Sequence, residues 1–193
     1  DGVMILGCHP GDCHYLTGNI QAERKITLVR RLLDDMGIGK ERLLLDWVSA
    51  GEGQRFSVLI TQFVKQIRDM GPFPLNDETE GKLRAIQSSL EGEKIRWMVG
   101  KAPELMEKEN VYGEQIDPER IREVMENTLQ DELTKNRILV LLEVGPQAAK
   151  EISDKLNFSL HATLSHLVSL VGEGRIGFDP TEESHYPRYV RSA

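Results

Sequence analysis

The chain has 193 residues, enough for one or two domains of the usual ~100–150 residues. Hydrophobic residues make up 39% and charged ones 28%, and no stretch approaches the roughly 18 consecutive apolar residues of a membrane span. A formal net charge of −7 disfavours nonspecific binding to nucleic acid or anionic membranes. No signal-peptide pattern opens the sequence, so a cytoplasmic location is expected.

Residues 1–75 read as two successive βα units. The run Asp1-Gly2-Val3-Met4-Ile5-Leu6 resembles a strand already under way, so the chain is expected to be the C-terminal part of something longer. Val3 to Gly7 leads into the loop Cys8-His9-Pro10-Gly11-Asp12-Cys13-His14. A helix is predicted over Ile20–Met36, where Ile26, Val29, Leu32, Leu33 and Met36 recur at helical spacing and Gly37 stops it. Leu43–Val48 is the next strand. The following helix, Glu52–Met70, carries Phe56, Leu59, Ile60, Phe63, Val64 and Ile67 on one face. Alternating strands and helices imply a parallel open sheet, part of a flavodoxin-like or Rossmann-like layer. Two parallel strands cannot bury both sheet faces, so further strands are expected upstream or in a partner.

Residues 76–134 read as a charged helical connector, with helices near Glu78–Ser89, Glu93–Lys108 and Pro118–Gln130. Asp117 is the expected cap of the last, with Pro118 in its first turn. Residues 135–193 read as a winged helix-turn-helix: helices over Lys135–Val144, Gln147–Leu156 and Leu160–Val171, then a turn and strand through Gly172–Phe178. The tail from Thr181 to Ala193 is expected to be irregular. The helix that would read DNA contains no Lys or Arg. From Lys135 onward seven basic residues face seven acidic ones, so nucleic-acid binding is disfavoured and protein docking favoured. His161 and His166 lie five apart, off a common helical face, which argues against a metal pair.

The chemistry concentrates in the loop of Cys8 and Cys13, the two cysteines of the chain. Thiolates are soft donors that favour iron–sulfur clusters, zinc or copper, and the C-x4-C spacing occurs among two-iron ferredoxin ligands. The loop follows a strand, and open parallel sheets bind ligands beyond the carboxyl ends of their strands. Ser49-Ala50-Gly51-Glu52-Gly53 follows the other strand on the same edge and could offer N–H groups to cluster sulfurs. From the residues alone, several readings stand: ordinary thiols, a crowded Cys2His2 zinc site with His9 and His14, a reversible disulfide, or cluster ligation.

The stretch Asp1-Gly2-Val3 through Gly7-Cys8-His9-Pro10-Gly11-Asp12-Cys13-His14-Tyr15 and Gly18-Asn19 resembles the delta subunit of methyl-viologen-reducing hydrogenase, found also with heterodisulfide reductase. The likeness continues through Met36-Gly37-Ile38, Glu41-Arg42-Leu43 and Trp47-Val48-Ser49-Ala50-Gly51-Glu52-Gly53, about residues 1–72. It implies a domain with one [2Fe–2S] cluster that passes electrons between a hydrogenase or formate dehydrogenase and the flavin subunit of heterodisulfide reductase. Cys8 and Cys13 match that family's last cysteine motif and become its candidate ligands. The family's earlier cysteines would lie upstream of Asp1, and two thiolates do not complete a four-cysteine site. His9, Asp12 and His14 would then tune the potential or remain solvated loop residues. A different class of reading is a redox-responsive winged-helix DNA-binding regulator that senses through Cys8 and Cys13.

Overall fold

Two short strands, β1 (Val3–Gly7) and β2 (Leu43–Trp47), lie parallel, with Val3 opposite Leu43 and Gly7 opposite Trp47. The helix between them, α1 (Gly18–Asp35), turns its apolar stripe inward, so that Leu32 is fully buried with Met36 and Leu43 close behind. Gly37 ends it at φ +67, a conformation that costs glycine little. A single 3-10 turn, Lys40–Arg42, feeds β2. Helix α2 (Gly53–Met70) buries Phe63 and passes so near the start of β1 that a Cβ on Gly2 would lie 2.5 Å from the Ile67 side chain. Arg42 ties this end together by donating to the carbonyls of Asp1 and Gly71. The computed structural model describes residues 1–180 and 186–192, which divide into two compact units, Asp1–Thr79 and Glu80–Ala193.

The expected parallel βα arrangement is present in the first unit. Among the described residues its sheet has two strands, so a wider Rossmann-like layer is not seen.

Helices α3 (Asp77–Glu91), α4 (Glu93–Glu107) and α5 (Pro118–Leu142) come next. Asp117 caps α5 as expected, accepting the Glu119 N–H at 3.0 Å with Pro118 in the first turn. The sequence predicts two helices across residues 118–144; the structure has one. Residues 131–134 hold neither Gly nor Pro, so nothing in the backbone interrupts the helix there, and its charges find partners. Glu132, Lys135 and Asn136 are each under a tenth exposed. Lys135 bonds Asp131 and Glu173 at 2.8 Å, Glu132 takes Lys94 at 2.6 Å, and Asn136 joins Ser89 of α3 to Arg175.

The rest of this unit is β3 (Gln147–Ala148), α6 (Ala149–Leu156), α7 (Leu160–Gly172), β4 (Ile176–Phe178) and β5 (Arg188–Arg191). The antiparallel sheet has the order β3-β5-β4. Ile138, Leu142, Ile152, Leu167, Leu170, Ile176 and Tyr189 form one core beneath it. Gln147 and Ala148, read from the sequence as the start of a helix, pair instead with Tyr189 and Arg188. The irregular tail is corrected in the same way. Residues 188–191 form the central strand, because Tyr189 fills the core while its backbone pairs on both sides. The remainder of that expectation, residues 181–185 and 193, lies outside the described residues.

Candidate functional site

Beyond β1 the chain turns at once. Asp12 donates its N–H to the His9 carbonyl at 2.9 Å, and Gly11 holds φ +96 between them. This turn brings Cys8 and Cys13 back beside each other, both half-buried and unbridged, with their side chains hydrogen-bonded. Backbone N–H groups of Tyr15, Asn19 and Gly18 surround the Cys13 sulfur at the entry to α1. Those donors, Tyr15 foremost, hold the Cys13 thiol below the usual cysteine range against the opposing effect of burial. Cys8 moves the other way: its hydrogen bond to Cys13, then burial, push it up.

Two residues make this approach possible. A Cβ on Gly18 would sit 3.1 Å from the Cys13 sulfur, so a side chain there would crowd the thiol. Asn19, 4% exposed, donates its amide to the carbonyls of His9 at 2.9 Å and Cys8 at 3.4 Å. It fastens the cysteine loop to the first turn of α1. Sequence reasoning gave Asn19 no role; the available signal was an Asn in a first helical turn, a position where that side chain seeks backbone partners.

The loop after β2 meets the cysteine loop at the same sheet edge. Glu52 accepts from the Ser49 N–H at 2.8 Å and lies 2.6 Å from His9 Nε2. The Ser49 N–H and then His9 draw the Glu52 carboxyl below its usual range. Of the segment Ser49–Gly53, expected to offer N–H groups toward cluster sulfurs, the Ser49 N–H goes to the Glu52 carboxylate and the Glu52 N–H to the Ser49 carbonyl. Gly7 lets the Trp47 ring lie across the strand end, where a Cβ would come within 2.8 Å of it. With His9 turned to Glu52, the four side chains of a Cys2His2 site do not converge. Among the described residues, no group of three or more His, Cys, Asp and Glu side chains could hold a metal ion. Two adjacent thiols with N–H donors aimed at one of them fit half of a four-thiolate donor set.

At the rim, Tyr15 and Leu16 are 80% and 83% exposed. Leu16 holds φ +58, a left-handed conformation that costs a residue with a Cβ about 1 kcal/mol or more. Its N–H closes a turn onto the Cys13 carbonyl at 2.9 Å. His14 meets Tyr15 edge to face with ring centres 5.2 Å apart. No helix among the described residues is long and apolar enough to cross a membrane.

Comparison with known proteins adds to this geometry. Residues 1–71 match the family of the methyl-viologen-reducing hydrogenase delta subunit. The chain is 45% identical over 83 residues to the vhc iron-sulfur subunit of the F420-non-reducing hydrogenase of Methanococcus voltae, covering 43% of this chain and 57% of that one. It is 48% identical over 73 residues to the iron-sulfur subunit of the F420-non-reducing hydrogenase of Archaeoglobus profundus, covering 38% and 53%. It is 40% identical over 72 residues to one subunit of the ferredoxin:CoB-CoM heterodisulfide reductase of Methanosarcina mazei, covering 37% of this chain and 9% of that one. The chain thus spans little more than half the length of the hydrogenase subunits it matches.

Proposed function

We propose that this chain, whose first 71 residues carry a delta-subunit domain of the methyl-viologen-reducing hydrogenase family, relays electrons through a [2Fe–2S] cluster. The donor is a hydrogenase or formate dehydrogenase, and the acceptor is the flavin-containing subunit of a heterodisulfide reductase, in the cytoplasm. Residues 1–75 are the iron–sulfur part, 76–134 a helical segment, and 135–193 a winged helix that docks on protein. One observation carries the reading: Cys8 and Cys13 stand side by side in the loop that leaves the end of a parallel strand, and Asn19 at the start of α1 pins that loop through the Cys8 and His9 carbonyls. Relatives named as iron-sulfur subunits over this same segment support it.

The two thiolates supply half of the ligands, and the other donors come from polypeptide outside these 193 residues. A bound cluster supplies one-electron chemistry. The chain's own residues ligate it, and the N–H groups of Tyr15, Gly18 and Asn19 offset negative charge on sulfur, which raises the reduction potential. The Asn19 and Glu52 hydrogen bonds keep the loop in place while charge changes.

The test is iron content and visible absorption of the intact protein, prepared without oxygen. Cys8→Ser and Cys13→Ser are each expected to abolish the [2Fe–2S] signature and most of the iron. A colourless, iron-free wild-type protein, or variants that keep full cluster content, would reject the assignment.

The helix order and β3-β5-β4 sheet of residues 135–192 favour a second reading, a redox-responsive winged-helix regulator. The absence of Lys and Arg from α7 weighs against it.

A further inference from the structure

We infer that Glu52 is a positioning residue of the cysteine loop and that its fixed negative charge holds down the reduction potential of the site. The inference rests on the electron-relay reading and deepens it by naming the side chain that sets how readily the site takes an electron.

Glu52 stands in the cap position of α2, yet its side chain makes no capping bond to that helix. Ser, Thr, Asp and Asn serve helix starts best, because their short side chains reach the second or third N–H. The longer Glu52 side chain turns away from its own helix. One carboxylate oxygen accepts the Ser49 N–H at 2.8 Å and lies 2.6 Å from His9 Nε2, across 43 positions of chain.

His9 follows Cys8 directly, so this bridge completes the anchoring of one ligand. The Gly7 carbonyl takes the Val48 N–H at 2.7 Å, and the His9 carbonyl takes the Asp12 N–H at 2.9 Å. The Asn19 amide donates to the carbonyls of Cys8 and His9. The backbone is thus held on both sides of Cys8, and Glu52 holds the ring beside it.

Glu52 is also the charged member of this set of anchors. From Gly7 to Asn19 there is no Lys or Arg, and the one carboxylate, Asp12, is exposed. Arg55, in the first turn of α2, is engaged with Asp46 at 2.8 Å and the Trp47 carbonyl at 3.0 Å. The Ser49 N–H and His9 draw the Glu52 carboxyl below its usual range, so it is an anion at neutral pH. Taking up an electron adds negative charge at the ligand pair. A fixed anion beside it disfavours that step and lowers the potential.

The experiment uses the intact protein, prepared without oxygen. Redox titration followed by visible absorption, iron content, and hydrogen exchange over residues 8–13 are measured for wild type, Glu52→Gln, Glu52→Ala and Asp69→Asn. Asp69, an exposed carboxylate at the far end of α2 paired with Lys65, controls for net charge. Glu52→Gln keeps an oxygen for the Ser49 N–H and loses the charge. It is expected to retain iron, exchange like wild type, and shift the reduction equilibrium about tenfold toward the reduced form, about 59 mV for one electron. Glu52→Ala should shift it in the same direction and also exchange faster over residues 8–13. Asp69→Asn should leave the potential unchanged.

An unchanged potential in Glu52→Gln overturns the inference. An equal shift in Asp69→Asn also overturns it, because net charge rather than position would then be the cause. An iron-free wild type removes the relay reading and the potential with it, and exchange in that protein then decides the positioning role. Faster exchange in its Glu52→Ala variant keeps Glu52 as the residue that holds the cysteine loop; unchanged exchange overturns that role too.

Discussion

Gly18 shows how one missing side chain shapes the site. A methyl group on its Cα would stand 3.1 Å from the Cys13 sulfur, so the close approach of the thiol to the α1 entry depends on there being none. Gly18→Ala should help α1 locally, since alanine favours helix over glycine by roughly 1 kcal/mol. It should nonetheless push the thiol away from its donors. On the iron–sulfur reading, the expected result is a roughly tenfold loss of cluster affinity without loss of folding. Iron retained after dialysis against a chelator, together with the melting temperature, checks both halves. The cysteines were legible as a pair from their spacing. Which N–H groups serve them was not, because the donors sit beyond Cys13 at a helix entry that only the folded loop brings round.

Among the elements, α5 carries the charges that pattern reasoning handled worst. Its Lys135 is 3% exposed between Asp131 of the same helix and Glu173 after α7. Burial pushes Lys135 down, but the two carboxylates outweigh it and raise the ammonium above its usual range. Burial pushes Glu173 up, yet Lys135 prevails and holds it below the usual carboxylate range. The signs fix the pH window. The Glu173 contribution is complete above its unfolded pKa, about 4.3, and is lost as pH falls through the lower folded value. The Lys135 contribution is complete below about 10.4 and is lost as pH rises through the raised folded value.

Lys135→Met leaves both carboxylates facing an apolar side chain. We expect a loss of about 2 kcal/mol at pH 7, less than for a fully buried pair because both acids keep solvent contact. The loss should shrink near pH 4. Urea unfolding of the intact protein at the two pH values measures it, and an equal loss at both would remove the electrostatic explanation. The sequence predicts one helix ending near Gln130 and another starting at Lys135. Instead Glu132 and Lys135 are buried in the middle of one helix, where they pair with Lys94 of α4 and Glu173 after α7.

For the molecule as a whole, charge separates relay from regulator. The chain carries a net charge of −7, and residues 135–193 balance seven basic against seven acidic groups. Several basic groups there are already engaged: Lys135 with Glu173, Arg175 with Asn136, and Arg191 with Glu143. Few remain to displace counterions from a phosphate backbone. Labelled duplex DNA is therefore expected to show no binding that strengthens as salt is lowered from 200 to 50 mM, a range over which six to ten phosphate contacts change affinity roughly 10³–10⁵-fold. Steep salt dependence in fluorescence anisotropy would favour the regulator.

By itself, the sequence determined the local matters: the two parallel βα units, the Asp117 cap, the apolar stripes of α1 and α2, and the pairing of Cys8 with Cys13 in one loop. These follow from periodicity, turn chemistry and short spacing, which act between near neighbours. Only the tertiary structure decided the rest. The Glu52 bridge to His9 spans 43 positions, the central place of β5 depends on strands that begin at residues 147 and 176, and the continuity of α5 depends on charges 38 positions away. Such contacts leave no period in the sequence, because the partners are chosen by folding rather than by distance along the chain.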